Sequence, residues 1–348
     1  MENAFGVTNV NTGKHWAVWF IMLTVTLGAV AVMVAVKAHR LDGTAASLPA
    51  ATNARPTPSP TSRPIPQSRP SPPPTAAQLK KMIPLLEPLF EKMGKPKPGE
   101  WLDRFKEPGQ TFDEYLRCNP VLPRGRRSVL YIQPLGDFTA GQRRVVELTG
   151  QFSGLYFNLP VTFSKDLPLS VIPAKAQRVH PSWGDRQVLS TYVLDPVLAT
   201  RLPQDAAAYI AFTASDLWPG EGWNFVFGQA SLSQRVGVWS IYRNGDADKD
   251  QSFRLCLLRT MKTAVHESGH MFSILHCTAY YCCMSGCNNQ QESDAHPLAL
   301  CPQCLAKVCW ATQTWPGPRY KALADFCRAN GLKEQADFYD KCRLAVAK

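Results

Sequence analysis

Apolar and polar positions along this chain follow two rhythms, short apolar runs that suit buried strands and stretches with the period of a helix. SVLYIQPL (128–135) is β-branched and aromatic, and predicts a buried strand. Thr139 then opens a helix whose apolar positions are Val145, Val146, Leu148 and Phe152. PVTFS (160–164) predicts a short strand, and residues 189–201 a helix weakened by Pro196. AAYIAFTAS (207–215) predicts a second buried strand, with two more at 224–232 and 235–243. Gly228 and Gly237 within these last two point to bulges or close backbone approach. Asp248 and Asp250 can cap the next helix, in which Phe253, Leu257, Met261 and Val265 recur every four residues as one stripe leading to His266. After Trp310 two more helices follow, broken near Gly331. Strands and helices mix without regular alternation, so the expected class is α+β with a mixed sheet.

The N-terminal quarter lacks both rhythms. Residues 1–15 read as a tail. Residues 16–36, WAVWFIMLTVTLGAVAVMVAV, carry no charge, and at helical rise they would span about 30 Å, the hydrocarbon thickness of a bilayer. Trp16 and Trp19 stand where an interfacial belt would lie, with Lys14, Lys37 and Arg40 flanking. The apolar run exceeds the core of a signal peptide and no small-residue cleavage site follows it directly, so the expectation is a single membrane-spanning helix. The flanking charges favour a cytoplasmic C-terminal part, whereas proline-rich stalks are common outside the cytoplasm; the sequence leaves the side open. Residues 37–75 form a linker whose segment RPTPSPTSRPIPQSRPSPPP has little to bury, a semi-extended spacer. Residues 76–348 are then the globular domain.

Composition changes this picture in two places. The formal net charge of +11 is spread rather than patterned, with short clusters such as Arg124, Arg126 and Arg127. That is a solvated basic surface; with no nucleic-acid motif in the chain, no nucleic-acid partner is expected. Of the 11 cysteines, six fall between Cys277 and Cys304 beside histidines, which points to metal binding before a disulfide framework.

The chemistry concentrates in HESGHMFSILHC (266–277). His266 and His270, four apart, share one face of a helix and can share an ion. Glu267 cannot comfortably bind the same ion but can reach a water in the open coordination position and take its proton, which is the logic of an H-E-x-x-H metallopeptidase. His276 would point roughly 120° away on a continuous helix. It becomes the third ligand only if the helix ends and the chain doubles back, a turn in which glycine usually supplies a positive φ. Here Ser273 holds that position, and a left-handed serine costs on the order of 1–2 kcal/mol. Cys277, Cys282, Cys301 and Cys304 then offer four thiolates, the last two as C-P-Q-C, suited to a closed tetrahedral zinc site. Cys283 and Cys287 are rival ligands and disulfides a rival chemistry. Because Cys277 adjoins His276, the four-cysteine site would also steady the third histidine. The remaining cysteines, including Cys118, Cys256, Cys309, Cys327 and Cys342, are expected as buried small hydrophobes. Met284 reads either as a core methionine or as a methionine turn beneath a metal site.

The string H-E-x-x-H-x-x-S-x-x-H-C-x4-C-x-M-x16-C-x-x-C resembles the archaemetzincins, a metzincin branch of zinc metallopeptidases. YIQPLGDF (131–138) and WNFVFGQASLSQRVGVWS (223–240) resemble that family too, so the likeness runs from about Thr111 to Trp310. It implies a metzincin-like domain with an active-site helix and a methionine turn at Met284. It implies two zinc ions per chain: a catalytic one on His266, His270 and His276 with Glu267 as general base, and a structural one on Cys277, Cys282, Cys301 and Cys304. The substrate would be a peptide or protein, and the N-terminal helix would tether the enzyme to a membrane. A non-catalytic, zinc-stabilised binding domain is the alternative, and Ser273 is the residue that favours it.

Overall fold

The computed structural model describes residues 72–347. The N-terminal tail, the expected membrane span at 16–36 and nearly all of the linker lie outside the described residues; among those described, no helix is long and apolar enough to cross a membrane. The first described helix, α1 (Ala76–Leu86), starts on a capping box in which Thr75 and Gln78 satisfy each other's backbone N–H groups. Two short helices follow, α2 (Trp101–Arg104) and α3 (Phe112–Arg117).

The centre is a five-stranded sheet in the order β2-β1-β5-β8-β7, made of β1 (Val129–Leu135), β2 (Val161–Phe163), β5 (Ala206–Thr213), β7 (Gly228–Ser231) and β8 (Val236–Ser240). Its pairs are parallel except β7–β8. A smaller sheet joins β3 (Gln177–Val179), β4 (Arg186–Leu189) and β6 (Asp216–Trp218). The mixed sheet is as expected, but helical segments cover both of its faces, closer to α/β layering than the α+β expectation. β5 shows why: Ala208, Ile210 and Phe212 enter one apolar cluster, Tyr209 and Ala211 the other, and all eight of its residues are buried.

One face is covered by α4 (Ala140–Phe157) and the long α6 (Asp250–Met271), the other by an irregular helical run at 190–201. That run opens as a helical turn, α5 (Ser190–Tyr192), and widens into a π-helix around Pro196, whose missing N–H and bulky ring break the regular ladder, as the sequence suggested. Thr139 caps α4 through a capping box with Gln142, as read. Asp248, expected to cap α6, instead accepts the Gly141 N–H in the first turn of α4 at 3.0 Å; α6 starts without a side-chain cap. The stripe of α6 packs inward as predicted, with Leu257, Met261 and Val265 fully buried. Gly228 and Gly237 are sites of close approach: the Trp239 indole lies against both, and a Cβ at Gly237 would meet it at 2.2 Å.

β7 closes the large sheet. Ser240 N–H donates to Phe227 O at 2.8 Å, so 227 and 229 face the ladder to β8 and the backbone groups of Gly228 and Ala230 turn to the outer edge. Beyond α6 come α7 (Gln290–Ala295), α8 (Pro302–Ala311) and the hairpin of α9 (Pro316–Ala329) and α10 (Lys333–Ala345), which breaks at Gly331 with φ +72° as the sequence indicated.

Candidate active site

α6 ends at Met271, and the chain reverses at once. Ser273 N–H donates to His270 O at 2.9 Å and Ile274 N–H to Gly269 O at 3.1 Å, the paired bonds of a Schellman motif. Its left-handed position is Ser273, with φ +64°. A serine thus takes the conformation that usually asks for glycine, and its hydroxyl compensates by accepting the Val121 N–H at 3.0 Å. The reversal returns His276 to the helix face that carries His266 and His270.

The three imidazoles converge, each offering a nitrogen within 4.8 Å of the others. Each also has its Nδ1 placed against an acceptor. His266 Nδ1 lies 2.8 Å from Cys283 O, and His270 Nδ1 lies 2.6 Å from Ile274 O, a carbonyl supplied by the reversal itself. His276 Nδ1 lies 2.9 and 3.1 Å from the two carboxylate oxygens of Glu107. With Nδ1 donating, the Nε2 atoms carry lone pairs, yet those of His266 and His270 stand 3.0 Å apart. Two lone pairs facing each other at that distance repel unless a cation lies between them. For tetrahedral zinc with bonds of about 2.0–2.1 Å, the expected separation is about 3.3 Å. Burial pushes the pKa values of His270 and His276 well below the ordinary range, with the neighbouring imidazoles adding to the effect, so the rings stay neutral as ligands must.

Glu267 sits beside His266 on α6, half-buried. Desolvation raises its carboxyl pKa against the pull of His266, which suits a group that must take up a proton and release it. Beneath the helix, Met284 packs so closely on Gly269 that a Cβ there would lie 2.7 Å from its sulfur. The Met284 carbonyl accepts the Cys277 N–H at 2.8 Å, so one turn supports both the helix and the residue after His276.

The sulfurs of Cys277, Cys282, Cys301 and Cys304 form a second group within 4.8 Å, all buried. No disulfide forms among the described residues. Cys277 and Cys301 Sγ are 3.6 Å apart, close to the roughly 3.8 Å between sulfurs on a tetrahedral zinc with 2.3 Å bonds. Cys301 is the N-cap of α8, with Pro302 at the first turn and its sulfur accepting the Cys304 N–H. Lys307, wholly buried, sets its ammonium 3.9 Å from Cys304 Sγ and so places a positive charge against the sulfurs. Donation from the other three sulfurs draws the Cys277 thiol far down, while burial pushes Cys282 and Cys301 well up. Such a set can become four thiolates only around a cation.

The fold therefore brings together every residue proposed from sequence for the two metal sites. The rivals Cys283 and Cys287 stand outside the sulfur group; Cys283 contributes its carbonyl, and Cys287 Sγ faces His296 Nδ1 at 3.3 Å. Cys256, Cys309, Cys327 and Cys342 are buried as expected, but Cys118 is exposed, because it ends the short α3 at the surface. Sequence reasoning missed Glu107, whose neighbours carry no motif, and Lys307, which stands one helical turn past Cys304 in α8.

Residues 206–309 match the profile of Peptidase family M54. The chain is 32% identical over 270 residues to archaemetzincin-2 of Rattus norvegicus, covering 68% of this chain and 74% of that relative. The chain belongs to the archaemetzincin family. It is thus a metallopeptidase, a hydrolase, and its metal is zinc. The archaemetzincin of Archaeoglobus fulgidus is 31% identical over 179 residues, 51% of this chain and 98% of that protein. The crystal structure of archaemetzincin from Methanopyrus kandleri is similar with a TM-score of 0.42 at 26% identity, over 54% of this chain and 97% of that one.

Proposed function

We propose that the chain is a membrane-anchored zinc peptidase with two zinc ions: a catalytic one on His266, His270 and His276, and a structural one on Cys277, Cys282, Cys301 and Cys304. The observation that carries this reading is the convergence of three imidazoles whose Nδ1 atoms all meet acceptors. The three imidazoles would hold a zinc ion that, when bound, would supply Lewis acidity and lower the pKa of water in the site. Glu267 takes the proton of the attacking water and returns it to the leaving amine. Met284, tight under Gly269, acts as the methionine turn of a metzincin-like domain.

Glu267→Gln in the full-length chain should lower kcat/KM on peptides by about 10²–10⁴-fold while both zinc ions stay bound. Wild-type turnover by that variant would remove Glu267 from the mechanism. The left-handed Ser273 and its satisfied hydroxyl favour this reading over a non-catalytic binding domain, since serine does not prevent the reversal.

The anchor rests on the charge-free run at 16–36, and the substrate is a peptide or protein. Alkaline carbonate extraction should leave the full-length chain with the membranes and release one that starts at Ala76. Release of both would remove the anchor.

A further inference from the structure

The third histidine of the site is carried by a reversal that is bonded from outside the helix as well as to its last turn. Five hydrogen bonds reach this reversal from one remote stretch of chain, residues 107–121. Tyr115 Oη donates to Phe272 O at 2.9 Å. Gln110 works in both directions: its Nε2 donates to Ser273 O and its Oε1 accepts Leu275 N–H, each at 3.2 Å. Val121 N–H donates to Ser273 Oγ. Glu107 then takes His276 itself, with both carboxylate oxygens within 3.1 Å of Nδ1. Every peptide unit from 272 to 275, and the ring at 276, is either bonded to this stretch or adjacent to a unit that is.

Glu107 and His276 are both largely shielded, with side chains 16% and 10% exposed. The Trp101 ring stands edge-on to His276 at 5.2 Å, which restricts the ring's rotation. A carboxylate on Nδ1 fixes the tautomer, leaves Nε2 as the basic nitrogen, and makes it a better donor to a metal. His266 and His270 place Nδ1 against the backbone carbonyls of Cys283 and Ile274. Glu107 thus brings a charged group, rather than a carbonyl, to an imidazole of the cluster.

We infer that Glu107 is a positioning residue for His276, and that residues 107–121 form a brace without which the third ligand loses its geometry. The inference rests on the proposed role of His276 at the catalytic zinc.

The test is chelator competition for zinc on the full-length chain, resolving the two ions, for wild type, Glu107→Ala, Glu107→Gln and His276→Ala. Glu107→Ala should weaken the three-histidine zinc by about 10–100-fold and leave the four-cysteine zinc at wild-type affinity. Glu107→Gln, which keeps an acceptor but not the charge, should fall between. Wild-type affinity for both ions in Glu107→Ala, with one ion lost in His276→Ala, would overturn the positioning role alone. Two ions at wild-type affinity in His276→Ala would overturn the site reading beneath it. Loss of both ions in the near-isosteric Glu107→Gln would make Glu107 a determinant of the fold as a whole and also overturn the inference.

Discussion

The three-histidine cluster and the four-cysteine cluster meet at adjacent residues, His276 and Cys277, yet they are built in opposite ways. His266 and His270 are half-buried on one face of a helix, whereas the four sulfurs are buried on all sides. Three imidazoles leave a tetrahedral ion with an open corner, while four thiolates close it, and that count divides chemistry from architecture. The supports differ as well. The cysteines draw on nearby backbone, through the N-cap of α8 and the turn at Met284, whereas the last histidine depends on a stretch more than 150 residues earlier in the chain. A closed site built from local structure can staple a fold, and an open site needs outside bracing.

The contrast can be broken most sharply at Cys304. If the sulfur site is architectural, Cys304→Ser should lose one zinc and most of the folding free energy that zinc supplies, on the order of 10 kcal/mol for structural sites. His266→Ala should melt near wild type and hydrolyse nothing. Equal melting of the two variants, by calorimetry with a metal count, would erase the division.

A smaller effect is expected in acid. His296, next to Cys287, is held neutral by burial, which lowers its pKa from 6.5 to about 4. Its folded pKa lies below its unfolded value, so the unfolded chain takes up the proton first. Stability is therefore intact above pH 6.5 and falls as pH drops towards 4, by roughly 3 kcal/mol. Denaturant melts at pH 7 and pH 4.5 should show wild type losing more than His296→Gln by about that amount. Parallel losses would mean His296 is not the sensor.

The smallest effect tests the reversal at its left-handed residue. Ser273→Gly removes left-handed strain but also the acceptor for Val121, two terms of about 1 kcal/mol each, so the net change should stay within about 1 kcal/mol. Ser273→Ala keeps the strain and loses the bond, and should destabilise by about 1 kcal/mol. Melting temperatures in the order Ala below Gly and Gly near wild type would sharpen the point; Ala at or above Gly would refute it.

Much of the scaffold was legible because its signals are local. The apolar runs of β1 and β5, the Thr139 cap and the four-residue stripe of α6 each depend on neighbours within a turn or a strand. The small sheet of β3, β4 and β6 and the helices α1 to α3 gave weaker signals, because their short elements bury too few residues to impress a period on the sequence. Asp248 shows how a correct residue type can be assigned the wrong partner: it caps a helix, but one that begins more than a hundred residues earlier.

What the sequence by itself determined is the chemistry and its spacing: two histidines one helical turn apart, a glutamate between them, a third histidine six residues on, and four cysteines in two pairs. Ligand type and short-range periodicity are written in consecutive residues. Only the tertiary structure decided that Ser273 would turn left-handed and that Glu107 would meet His276. Hydrogen bonds between groups 163 to 169 residues apart leave no periodic trace, because the fold alone sets the distance between their partners.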